Sequence, residues 1–254
     1  MRPQDLLKAI RALSARYVER RADLRDRSPI DSRGKRAAFA AFFAPLHFVI
    51  TREIVRAVDA GSTDLDRIVD LGCGTGAASA AWALGCRPRV SPPGPTSGVT
   101  PEVVGIDRDR WSLEEARWNW RHLGVRGRTR QSDFVREAVR AAEHARRGRA
   151  RQGVIAAWSV NELDPQPRAI LLDALVSLMR AGTTVLVIEP IARRVSPWWP
   201  DWADAFTRAG GRADAWRFES ALPAPLARLS EGAGFQRDEL TARSLWYGPI
   251  NRVA

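Results

Sequence analysis

The sequence predicts an α/β fold: a doubly wound, mostly parallel sheet with an N-terminal helical cap. Three observations carry this. From Arg67 onward, short apolar runs alternate with helical patterns, the rhythm of strand–helix–strand units that place helices on both faces of a sheet. The first of those runs ends in glycines at 72, 74 and 76, the composition of a tight strand-to-helix turn. The residues before it show helical periodicity and no strand.

Each element has its own signal. From 5 to about 25, Leu6, Leu7, Ile10, Leu13, Tyr17 and Val18 recur three or four apart, as on one face of a helix. Ser28-Pro29 breaks the pattern. A second helix is predicted from about 35 to 60, and Pro45 should kink or divide it. These helices are read as a cap over residues 1–62, with the sheet domain at 63–254. Strands follow at 68–71, 103–107, 128–131, 153–158 and 184–189. Helices are expected at 77–84, 113–123, from 135 and at 167–180. The tail offers helices near 204–209 and 223–231 and a last strand at 242–247. Residues 87–101 hold five prolines and read as a stiff inserted loop.

Composition narrows the class. Of 254 residues, 45% are hydrophobic and 27% charged, which suits a globular chain rather than a disordered one. Cys73 and Cys86 are too few for a disulfide framework or a four-cysteine metal site, so no metal is expected and a reducing cytoplasm is the simpler context. The N-terminus is not a secretory signal, and no apolar run is read as approaching the roughly 20 residues of a membrane helix. The net charge is +11, nearly all of it arginine, since lysine occurs only at 8 and 35. That charge fits a nucleic-acid-binding face, with Arg126, Arg128, Arg130 and the run 146–151 as its candidates. It equally fits the arginine- and alanine-rich coding of a GC-rich genome.

The chemistry centres on Asp70-Leu71-Gly72-Cys73-Gly74-Thr75-Gly76. Glycines let backbone approach a ligand where a side chain would clash, and the helix that follows presents free N–H groups. A dinucleotide site would want G-x-G-x-x-G/A, which Ala77 can complete. Asp70 argues against it: an acid two residues before the glycines suits a cofactor with a positive ammonium and repels a pyrophosphate. No Gly-Lys-Ser/Thr follows, which excludes a P-loop. Asp107 closes the second strand, where an acid accepts both hydroxyls of a ribose. Ser132-Asp133-Phe134 follows the third strand, and Asp133 can also serve there as a helix N-cap.

The stretch from Asp70 to Gly76 resembles motif I of class I methyltransferases, in which an acidic residue precedes G-x-G-x-G. The resemblance spans 68 to about 194 and implies S-adenosylmethionine as cofactor. It would be held by Asp70, Gly72, Cys73, Gly74, Thr75, Gly76, Asp107, Arg108, Ser132, Asp133, Phe134 and Trp158. By the same resemblance Asp133 receives the adenine amino group, and the substrate meets the sulfonium just beyond the fourth strand. Trp158, Asn161 and Glu162 stand there, with Asn161 and Glu162 the catalytic candidates. Glu162 either acts as a base or steers a cationic substrate, or is simply a helix-start residue before Asp164-Pro165. Trp198, Trp199 and Trp202 follow the fifth strand and read either as a substrate-binding lid or as packing. His47, His122 and His144 fall in helices and read as structural.

A narrower likeness rests on Asp70–Gly76, Ser159-Val160-Asn161-Glu162-Leu163 and Val187-Ile188-Glu189-Pro190. These resemble a methyltransferase-like family linked to assembly of the small ribosomal subunit. The chain departs from it in having Asn-Glu-Leu-Asp-Pro and Glu-Pro-Ile-Ala for Ser-Glu-Leu-Pro and Val-Glu-Pro-Gly-Thr-Pro, and it lacks that family's cysteine cluster. Expected partners are therefore RNA or a ribosomal particle on one reading and a small-molecule acceptor on the other, with no membrane. A non-catalytic assembly factor that keeps the fold is the alternative function.

Overall fold

The computed structural model describes residues 1–19, 30–86, 100–145, 151–192, 196–219, 222–235 and 239–248. Most of the inserted loop expected at 87–101, the break at Ser28-Pro29 and most of the arginine run at 146–151 lie outside them.

Seven strands form one sheet: β1 (Arg67–Leu71), β2 (Glu102–Asp107), β3 (Gly127–Gln131), β4 (Gln152–Ala157), β5 (Thr184–Glu189), β6 (Arg212–Phe218) and β7 (Leu240–Tyr247). Their order is β3-β2-β1-β4-β5-β7-β6. The first five run parallel, and β7 is antiparallel to both its neighbours. The chain leaves β1 for β2 and β3, then crosses back to place β4 on the other side of β1. Between β1 and β4 lies the point where strand order reverses, and there the strand ends open a crevice. Strands covered on both faces read as unbroken apolar runs, and β5, Thr-Val-Leu-Val-Ile-Glu, is buried at every residue.

Helices cover both faces. On one side α1 (Pro3–Glu19), α2 (Arg33–Ala38), α3 (Ala44–Ala57), α4 (Ala77–Gly85), α5 (Arg110–His122) and α9 (Ala224–Gly232) share a core around Ile10, Phe42, Ile54, Trp82 and Trp120. On the other, α6 (Phe134–Ala145), α7 (Pro165–Arg180) and α8 (Trp199–Arg208) enclose a second core around Val135, Leu171, Leu175 and Phe206.

Three sequence expectations need correction. β6 carries no apolar run; its Arg212, Asp214 and Arg217 are side chains of an edge strand, where charge discourages further pairing. Pro45 does not divide the helix. It lacks the N–H that would bond back one turn, and a π turn at Phe39–Phe43 absorbs the mismatch, with the Ala44 N–H reaching the Phe39 carbonyl. The continuous helix, Arg33–Ala57, has 25 residues and a mean hydropathy of 1.4 in its most apolar window, long and apolar enough to cross a membrane. Its apolar side chains Leu46, Val49, Ile50, Ile54 and Val55 are buried, and α3 packs along α4.

Candidate active site

The carboxyl ends of β1, β2, β4 and β5 open into a cavity of about 1190 Å³, roofed by Phe39, Phe43, Leu46, His47 and Ile50 of the cap. Pockets for small ligands and cofactors span roughly 300–1,000 Å³, and this one lies just past the upper end of that scale.

The glycine loop forms the floor. The Gly72 and Cys73 amides donate to the Ile106 carbonyl at 2.9 and 3.0 Å, tying the end of β1 to β2. Gly72 has φ +73, and a Cβ there would lie 2.5 Å from the Ser159 Cβ. Only glycine lets the ends of β1 and β4 close up in this way. Asn119 and Trp120 of α5 donate to the Thr75 and Gly76 carbonyls at 3.0 and 2.9 Å, so the turn is clamped from a neighbouring helix.

Two carboxylates stand at the strand ends. Asp70 is 1% exposed, and its Oδ2 has no hydrogen-bond partner among the described residues. Burial pushes its pKa up from 3.8 to about 7, against hydrogen bonds from Ser79 and with a further push from Asp107. Asp107 accepts the Gly74 amide on Oδ2 and the Asp109 amide on Oδ1, both at 2.9 Å. Burial raises its pKa too, and those amides oppose the rise. The Cys73 thiol is driven well up by burial and by both carboxylates, which leaves it unreactive as a nucleophile.

Of the two roles the sequence allowed Asp133, the structure shows the helix cap. It caps α6, accepting the Arg136 amide at 2.8 Å, and it lines the cavity, where its other oxygen pairs with Arg108. Ser132 donates to Glu137 at 2.9 Å, and Phe134 joins the cavity wall at the start of α6.

Beyond β4, Trp158, Asn161 and Glu162 all line the cavity. Trp158 lines the cavity in a left-handed backbone conformation, φ +56. Glu162 is exposed at the end of a single 3₁₀ turn and also faces the cavity. Asn161 has its side chain engaged at both ends. Its amide nitrogen donates to Glu189, and its oxygen accepts Ser196 Oγ at 2.9 Å and Trp198 Nε1 at 3.0 Å. Glu189, fully buried, also receives the Val160 and Asn161 amides at 3.0 and 3.2 Å. This carboxylate was missed as a site residue, although it closes an apolar strand just as Asp107 does.

The tryptophan cluster is not a lid. Trp198, Trp199 and Trp202 are 9%, 8% and 3% exposed and belong to the second core, with Arg168 over Trp198 at 5.3 Å and Arg243 over Trp199 at 4.6 Å. None lines the cavity. His47, read as structural, is in the cavity wall instead, while His122 and His144 bond to carbonyls of their own helices.

No protein-family model and no curated protein matches the sequence. Solved structures do. An O-methyltransferase family protein from Burkholderia thailandensis aligns with a TM-score of 0.50 at 13% identity, over 94% of this chain and 63% of that one. The chain has the methyltransferase fold. A SAM-dependent methyltransferase from Agrobacterium tumefaciens also aligns at 0.50 and 13%, over 80% of this chain and 62% of its own. The chain therefore spans less than two thirds of either relative, and at such identity the likeness is one of fold. The narrower resemblance to the small-subunit assembly family gains no support from these methyltransferase neighbours.

Proposed function

We propose that this chain is an S-adenosylmethionine-dependent methyltransferase whose acceptor is a small molecule. The observation that carries the cofactor is the unpartnered oxygen of Asp70, buried beside a glycine turn that admits no side chain. A buried acceptor without a donor is costly to leave so, and an ammonium group is the donor that suits a carboxylate. Asp107, anchored by two amides, has lone pairs left for a ribose, and Asp133 and Phe134 in the same wall are the residues assigned to the adenine. A pyrophosphate would meet both Asp70 and Asp107. When bound, the cofactor supplies an electrophilic methyl group; the residues of the chain hold it, orient the acceptor and exclude water.

The wall favours a small molecule over RNA. Its described carboxylates are Asp70, Asp107, Asp109, Asp133, Glu162, Asp164 and Glu189, against the guanidiniums of Arg108 and Arg136, besides His47. Phosphates would be repelled there. Three of the arginines proposed for RNA are ion-paired: Arg128 to Glu102, Arg130 to Glu137, and Arg151 to Asp64 and Asp66. The O-methyltransferase name of one structural neighbour agrees with methyl transfer as the reaction.

Calorimetric titration tests it. S-adenosylmethionine should bind and NAD should not, and Asp107→Ala should abolish the heat. Binding of NAD in place of the methyl donor would make the chain a dehydrogenase relative. Binding of neither would leave a fold kept for assembly and not for catalysis.

A further inference from the structure

The roof of the cavity and the end of β4 are joined by aromatic rings in unbroken contact. Phe43 stacks on Phe39 with centroids 6.3 Å apart, Phe39 meets His47 edge to face at 6.0 Å, and His47 lies flat on Trp158 at 3.8 Å and 6°. All four line the cavity, though they come from the π turn, α3 and the loop after β4.

Two backbone features set this array up. The π turn carries Phe39 and Phe43 to the cavity, while Phe42 turns into the core against Phe235. Such turns interrupt helices most often at functional sites. Trp158 adopts φ +56, a region that residues with large side chains rarely enter. Strain of this kind persists only where the surroundings enforce it, and it collects at ligand sites.

We propose that this array is the acceptor subsite, and that the acceptor is a flat, conjugated molecule without negative charge. Calling the ligand an acceptor rests on the methyltransferase reading; the aromatic subsite itself does not. Ring faces and edges offer stacked and T-shaped partners to a flat π system, and their negative faces favour a neutral or cationic guest over an anion. Glu162 and Asp164 in the same wall act in the same direction. Among the described residues the wall's guanidiniums are engaged, Arg108 with Asp133 and Arg136 with Ser132 at 3.0 Å.

The test is calorimetric titration of the full chain with naphthol, tryptamine and naphthoate, with and without S-adenosylhomocysteine. Naphthol and tryptamine should bind and naphthoate should bind far more weakly. Loss of one ring contact weakens a stacked ligand by up to about tenfold, so His47→Ala and, independently, Phe39→Ala should each weaken naphthol to that degree, and His47→Phe should restore it. Naphthoate binding as tightly as naphthol, no binding of either aromatic probe to the wild type, or folded variants that bind naphthol unchanged would each overturn the proposal. If naphthol binds and depends on His47 while S-adenosylhomocysteine does not bind, the subsite stands and the methyltransferase reading falls. If S-adenosylhomocysteine binds but naphthol ignores His47 and Phe39, the reverse holds.

Discussion

Asp70 is ionisable, buried and short of a partner, and each of these properties has a measurable consequence. Its pKa rises from 3.8 to about 7 on folding. The folded state thus holds the proton more tightly than the unfolded state, and stability falls as pH rises between those values. The loss is complete above about pH 7 and is absent well below pH 3.8. By linkage the penalty grows by about 3 kcal/mol between pH 5 and pH 8. Asp70→Asn removes it, so the variant's stability relative to wild type should increase by that amount across the interval, as read by denaturant unfolding at the two pH values. A constant difference would mean that Asp70 is ionised and paired throughout. Asp107 was legible because it closes an apolar strand, and Asp70 because it stands in one just before the glycines. His47 was not. Helical periodicity places it on a helix, but which face that helix turns to the cavity is set by the π turn before Pro45, and no periodicity reports such a turn.

Between elements, the link from β4 to β5 runs through one side chain. Asn161 joins the buried Glu189 to Ser196 and Trp198, holding the loops after both strands in one arrangement. Asn161→Ala would strip a partner from a buried carboxylate and from two further donors at once. A cost of about 3 kcal/mol is expected, because groups left buried and unsatisfied bear their full desolvation penalty. Thermal or denaturant unfolding reads it directly. Unchanged stability with activity abolished would instead return Asn161 to the reacting centre. The same elements show where sequence reading runs out. Four of the five parallel strands stood out as apolar runs, whereas β3 is the mostly exposed Gly-Arg-Thr-Arg-Gln and β6 has charged residues along its length and pairs only with β7. Trp198, Trp199 and Trp202 looked like a lid because they follow a strand end. Their helix turns them into the second core, and that orientation depends on packing against α7 that the sequence does not display.

Taken as a whole, the molecule sets a charge of +11 against a cavity whose described wall is mainly acidic. Composition reports only the first of these, which is why nucleic acid stood beside a small molecule as a partner. The arrangement of charge separates the two by salt dependence. A protein held to phosphates loses about 10³–10⁵ in affinity between 50 and 200 mM salt, while a ligand enclosed in a cavity is screened far less. Binding to the folded state alone stabilises it by about 2.7 kcal/mol when the ligand stands at a hundred times its Kd. For a chain of this size that raises Tm by about 5–10 °C. S-adenosylmethionine should produce such a shift, and most of it should survive the rise from low to high salt. Duplex or single-stranded RNA should give no shift at either salt. A shift with RNA that disappears as salt is added would move the function from the cavity to the arginine-rich exterior, and the acidic wall would then have to be explained by the cofactor alone.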